Sequence, residues 1–217
     1  MTNWCTNRLT VQGEHAELQR FLAAQAGSPA TYDPGARRSR VALTFNAQVP
    51  VPPEVLEIGY HSGSPEQEAW QLLHSDDLYP RAKMDENHPS GMRNNEDGLA
   101  ARDGNQSQVV PAVGPVSGFV CQVLHWGTAR DLESNEVRVA LSGNQLHLDF
   151  STVWSPPTAW VRTVAAQWPN LHFDLAYIEP GGGFAGQLTV QGLQIITDES
   201  HDVNRGDLER WGLDPDE

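Results

Sequence analysis

The chain has 217 residues, 39% of them hydrophobic, with seven tryptophans, a mean hydropathy of -0.47 and a formal net charge of -14. That length holds one large domain, or one domain carrying a substantial insertion. The acidic balance, with an isoelectric point near 4.8, argues against a surface built to embrace phosphate backbones, because such surfaces are ordinarily basic.

Cys5 and Cys121 are far apart and share no metal-type spacing, which fits a reducing compartment and no disulfide framework. The opening residues, Met1 to Arg8, lack the apolar run of a signal peptide, and no segment reaches bilayer length. The expectation is a cytoplasmic protein without a membrane segment.

The first predicted strand runs from Trp4 to Gln12. Cys5, Leu9 and Val11 share one face, while Trp4, Thr6, Arg8 and Thr10 share the other. After Gly13 a helix follows, with Leu18, Phe21 and Leu22 as its apolar stripe, and Gly27-Ser28-Pro29 ends it. Arg37, Arg38 and Arg40 read as a solvated turn. Val41, Leu43, Phe45, Ala47 and Val49 alternate with polar or small residues and predict a second strand. Pro50, Pro52 and Pro53 stop it and open a short helix over Glu54 to Ile58.

From 60 to 118 apolar periodicity fades, apart from a predicted helix over Pro65 to Leu78. A long polar stretch in a compact domain reads as an insertion, helical in part and disordered in part, and a lid is its functional version. Phe119 to Gly127 then reads as a short helix with a glycine end. Alternation on both sides of Gly143-Asn144 predicts a hairpin. In Trp154-Ser155-Pro156-Pro157, Ser155 is placed to cap the next helix and proline suits its first turn. Trp160, Val164 and Trp168 recur at helical spacing, so that helix should lie on a sheet. Leu171 to Tyr177 forms a strand, Gly181-Gly182-Gly183 a wide turn, and Leu188 to Ile196 a last strand. Residues 198–217 hold eight acids and two arginines and read as an acidic tail, with Leu208, Trp211 and Leu213 as possible anchors. The predicted fold is therefore α+β, an antiparallel sheet with helices on one face, its core formed by 1–59 and 119–197.

Five pieces together resemble a known family: Asn3 to Leu9, Phe45 to Pro52, His125-Trp126-Gly127-Thr128, Trp154 to Pro157, and Tyr177-Ile178-Glu179 with Phe184-Ala185-Gly186. They are similar to the YubB or Api92-like family with a ferredoxin-like domain, found on plasmids, phages and other mobile elements. The resemblance covers Asn3 to about Gly192 and implies a ferredoxin-like fold and a mobile-element context. It implies no reaction. His125 before Trp126-Gly127-Thr128, and Ala129-Arg130 after it, depart from the family pattern.

Chemical motifs are sparse. His147 with Asp149, and His172 with Asp174, form two His-x-Asp pairs on polar strand faces. The strands carrying them should flank the first strand, about 10 Å apart, too far for one metal site. Cys5 and Cys121 read as inert small hydrophobes, and the glycine run lacks the lysine of a phosphate loop. One exposed tryptophan and one arginine on the open sheet face are not the aromatic pair of an RNA-recognition module. Trp126, Trp154, Tyr177 and Glu179 are the candidates for a binding groove, tryptophan and tyrosine because they can keep one polar edge wet. The expected function is non-catalytic binding of a host or element-encoded protein with a basic surface, counter-defence being one version of it, with no catalytic residues, cofactor or metal. An enzyme or small-molecule binder using that groove, or a nucleic-acid module, are the alternatives.

Overall fold

The computed structural model describes residues 3–33, 39–61, 117–132 and 137–213. The expected helix over 65–78, the polar stretch through 116, the arginines at 37 and 38 and the last four residues of the acidic tail lie outside them.

Six strands form one antiparallel sheet: β1 (Trp4–Gln12), β2 (Arg138–Ser142), β3 (Gln145–Val153), β4 (His172–Glu179), β5 (Phe184–Gln191) and β6 (Gln194–Asp202), in the order β2-β3-β1-β4-β5-β6. Alternation decides which face is buried. Cys5, Leu9 and Val11 of β1 sit beside Leu146, Leu148 and Phe150 of β3 and Phe173 and Leu175 of β4. Against this face pack α1 (His15–Gln25), through Leu18 and Phe21, and α4 (Thr158–Gln167), through Trp160, Val161 and Val164. Two shorter helices, α2 (Pro53–Ile58) and α3 (Gly118–Trp126), extend this layer. Ser117 caps α3 by accepting from the Val120 amide, and Gly127 ends it in a left-handed conformation. This is the α+β, ferredoxin-like architecture expected from the alternation, with β3 and β4 on either side of β1 as anticipated.

The six strands differ in membership from those predicted. Val41 to Val49 alternates like a strand but makes only one bridge, Gly27 to Val41, before a 3-10 turn over Phe45–Ala47. The reason is Asp131. Its half-buried carboxylate accepts from the amides of Phe45 (2.9 Å), Leu132 (2.9 Å) and Ala30 (3.2 Å) and from the Thr44 hydroxyl (2.6 Å). The Phe45 amide, which a ladder would have needed, is thus claimed by a side chain, and Phe45 turns inward against Trp126, Phe150 and Trp160.

The sixth strand comes from the other end of the chain. The predicted strand over Leu188 to Ile196 divides at Gly192, whose φ of 56° makes a hairpin turn, and β6 continues to Asp202. Residues expected as a loosely docked tail therefore belong to the sheet and to α5 (Arg205–Trp211). Asn204 and Asp207 form a reciprocal capping box on α5. Trp211 of this helix lies 4.2 Å from the Arg8 guanidinium, on the sheet face opposite the core. The anchoring expected of Trp211 is real, and its partner is a cation on β1.

Replacing Asp131 with alanine should strand donors from three segments at once. The expected loss of unfolding free energy is about 2 kcal/mol, read from urea midpoints, and wild-type stability in Asp131→Ala would contradict this role.

Candidate functional site

The four groove candidates do not form one groove. Trp126 is only 1% exposed and donates its indole N–H to the Val49 carbonyl at 2.8 Å, inside the core cluster. Tyr177 lies on the core face of β4, its hydroxyl donating to the Glu199 carbonyl at 3.4 Å across Gly186, where a Cβ would meet the phenol oxygen. Glu179 is buried at the end of β4 and accepts from the Gly181 amide at 2.9 Å and from that of Gly182. Desolvation pushes its carboxyl pKa up, and those two amides pull it back. It closes the glycine turn rather than presenting a free handle.

Trp154 is different. It is 41% exposed, and it is the one non-glycine residue with a positive φ, 68°, among the described residues. The Ser155 amide donates to the Val153 carbonyl at 2.9 Å, so Trp154 is the centre of a three-residue turn of the rare positive-φ kind. For a bulky side chain this conformation costs about 1–3 kcal/mol. Its neighbours hold it there. The Trp154 amide donates to the Asn3 carbonyl at 3.0 Å, and the Thr128 hydroxyl donates to the Val153 carbonyl at 2.9 Å. Ser155 does not cap α4. Its hydroxyl donates to the Gly127 carbonyl at 2.6 Å, and its carbonyl accepts from the Thr152 hydroxyl at 2.8 Å. Asn7, fully buried, completes the chain by donating to Thr152 Oγ1 at 2.9 Å.

The strained tryptophan borders a recess of about 80 Å³ lined by Tyr60, His61, Phe119 and Arg130, with Ala129 and Val153 behind. The rings contact one another, with Tyr60 and His61 centred 4.5 Å apart, His61 and Phe119 5.9 Å, and Phe119 and Trp154 6.2 Å. Two backbone hydrogen bonds, from Gly118 to Gly59 and from Phe119 to Tyr60, bring the distant segments together. Tyr60, His61, Phe119 and Arg130 were missed as site residues. An aromatic residue at each end of the weakly patterned stretch was the available signal.

A second cleft, of about 270 Å³, opens between α5 and the open sheet face and is lined by Arg8, Tyr177, Gln187, Glu199, His201 and Arg210, among others. His201 Nε2 lies 3.0 Å from Asp207. Hydrogen bonding from the Asn204 amide, and then His201, holds the Asp207 carboxyl below its ordinary range.

The two His-x-Asp pairs stand on either side of β1, as predicted. Thr10 bonds His147 at 3.2 Å, Gln187 donates to Asp174 at 2.9 Å, and Arg8 lies 3.8 Å from Asp149. No group of metal-ligating side chains occurs among the described residues, and no helix among them is long and apolar enough to cross a membrane. Burial pushes the thiol of Cys121 up to about 11, and that of Cys5 higher still, so neither is a thiolate at neutral pH.

The sheet and its helices define an α+β protein of ferredoxin-like architecture, with an aromatic recess at one sheet end. Residues 128–212 match a family model described as the ferredoxin-like domain in Api92-like protein. A crystal structure of a protein api92 from Yersinia pseudotuberculosis is similar over 95% of this chain and 99% of that one, at 11% identity and a TM-score of 0.44. No curated protein matches the chain.

Two outcomes follow from these geometries. Trp154→Gly should unfold at higher urea than Trp154→Ala by about 1 kcal/mol, because only glycine is relaxed at this φ; equal midpoints would mean the turn is unstrained. Asp207, with its folded pKa depressed, gives α5 its full stabilisation above the ordinary carboxylate range and loses it as pH falls below that range through the lower folded pKa. Acidification should therefore release Trp211 from Arg8, seen as a shift of its indole proton, and Asp207→Asn should show the released signal at neutral pH.

Proposed function

We propose that this protein acts by binding another protein rather than by catalysing a reaction, and that Trp154 is its central contact. The supporting observation is the strained, exposed indole at the mouth of an aromatic recess. Backbone strain is retained where surrounding structure over-determines it, commonly at ligand-contacting positions. Tryptophan is also the residue type most enriched among interface hot spots. A recess of about 80 Å³ is well below the several hundred Å³ of an ordinary small-molecule pocket, and it suits a single inserted side chain.

The partner carries a basic surface, in keeping with the net charge of -14. The context is that of an accessory protein of a plasmid, phage or other mobile element of YubB or Api92-like kind, working in the cytoplasm on a host or element-encoded protein. Counter-defence fits this charge, because an acidic protein can occupy a basic nucleic-acid groove and exclude its substrate.

The test is co-purification of the tagged full-length protein from its own host, with and without nuclease. A stoichiometric protein that survives nuclease and is retained at least about tenfold less by Trp154→Ala is the expected result. Nuclease-sensitive retention, or retention indifferent to Trp154→Ala, would overturn the reading.

A further inference from the structure

β6 is an outer strand of the sheet, and its far edge has no partner among the described residues. The Val203 amide donates inward to the Gly183 carbonyl at 2.8 Å. By the alternation of an antiparallel ladder, the backbone groups of Asp198, Ser200 and Asp202 therefore point outward, away from β5. Such an edge is a template for another strand unless it is blunted.

Its side chains set the terms of pairing. At the hairpin end Leu193, Ile195 and Ile196 are 90%, 49% and 51% exposed, an apolar cluster on an otherwise acidic hairpin. Asp198, Glu199 and Asp202 follow along the strand, with Asp198 already paired to Arg162 of α4 at 2.6 Å. Two-fold antiparallel pairing with a second copy about Ser200 offers Asp202 only another carboxylate, Asp198, which Arg162 already satisfies. A segment with lysine or arginine opposite Asp202 gains an ion pair that the second copy does not provide.

We propose that the outer edge of β6 accepts an extended basic segment of the partner protein as a seventh strand. A basic side chain lies beside Asp202, and its apolar residues lie against Ile195 and Ile196. Backbone pairing supplies affinity, and the alternate side chains supply selectivity. This rests on the protein-binding reading above, but it uses a surface distinct from the Trp154 recess.

The probe is a ten-residue peptide of alternating lysine and valine, titrated into the isotopically labelled full chain, with a glutamate-valine peptide for comparison. Expected are amide shift changes confined to residues 193–203, slowed exchange at Asp198, Ser200 and Asp202, and affinity about tenfold weaker in Asp202→Lys. Shifts centred elsewhere, no binding, or equal binding of the acidic peptide would overturn the proposal. Ser200→Pro removes one outward N–H and should abolish binding, while Asp202→Lys serves if proline unfolds the edge. In the co-purification experiment, a partner kept by both variants sinks the edge proposal and leaves the protein-binding reading standing. Absence of any nuclease-resistant partner on the wild-type chain sinks that reading instead.

Discussion

The end of β3 is tied to the end of α3 by a run of hydroxyl-to-backbone hydrogen bonds, and the rest of the molecule is arranged around that junction. Thr128 holds the Val153 carbonyl, Ser155 holds the Gly127 carbonyl, and Thr152 holds the Ser155 carbonyl. Gly127 is required at the crossing. Its φ is 84°, and a Cβ there would come within 2.9 Å of the Pro156 carbonyl oxygen. Once both neighbours of Trp154 are fixed in this way, its own backbone has little freedom left and adopts a positive φ. The same junction delivers the chain into α4, whose Trp160 fills the core, and sets Phe119 beside Trp154. Strain, core and recess thus share one cause.

The two faces of the sheet are used differently. One carries the hydrophobic core, and the other is partly covered by α5, held by its capping box, by His201 and by Trp211 over Arg8. A base-stacking platform needs an open aromatic face. Here Arg8 is engaged by an indole and Ile178 and Ala185 are buried, which turns attention to the sheet's end and its edge. Those are the places where apolar side chains and unpaired backbone remain exposed together.

The core strands were legible because their pattern is redundant: Leu146, Leu148 and Phe150, or Phe173 and Leu175, cannot change face without losing the core. Val41 to Val49 carries the same alternation and is not a strand, because a carboxylate some 85 residues downstream captures the Phe45 amide and the Thr44 hydroxyl. No local pattern announces that. Ser155 has the position of a helix cap but bonds Gly127, and Trp126, a groove candidate by its sequence, answers to Val49 inside the core. In each case the deciding partner is distant in sequence. Of the candidate site only Trp154 was visible, because the recess is assembled from residues 60, 119 and 130, which no spacing rule connects.

The measurement that bears most directly on this account is a stability cycle at the junction. The free-energy difference between glycine and alanine at position 154 would be compared in the natural background and in one carrying Ser155→Ala and Thr128→Val. If the hydroxyl bonds impose the positive φ, the advantage of glycine should fall towards zero once they are removed, because the turn can then relax. An undiminished advantage would contradict the account, placing the strain in Trp154's own surroundings and leaving the junction without its organising role.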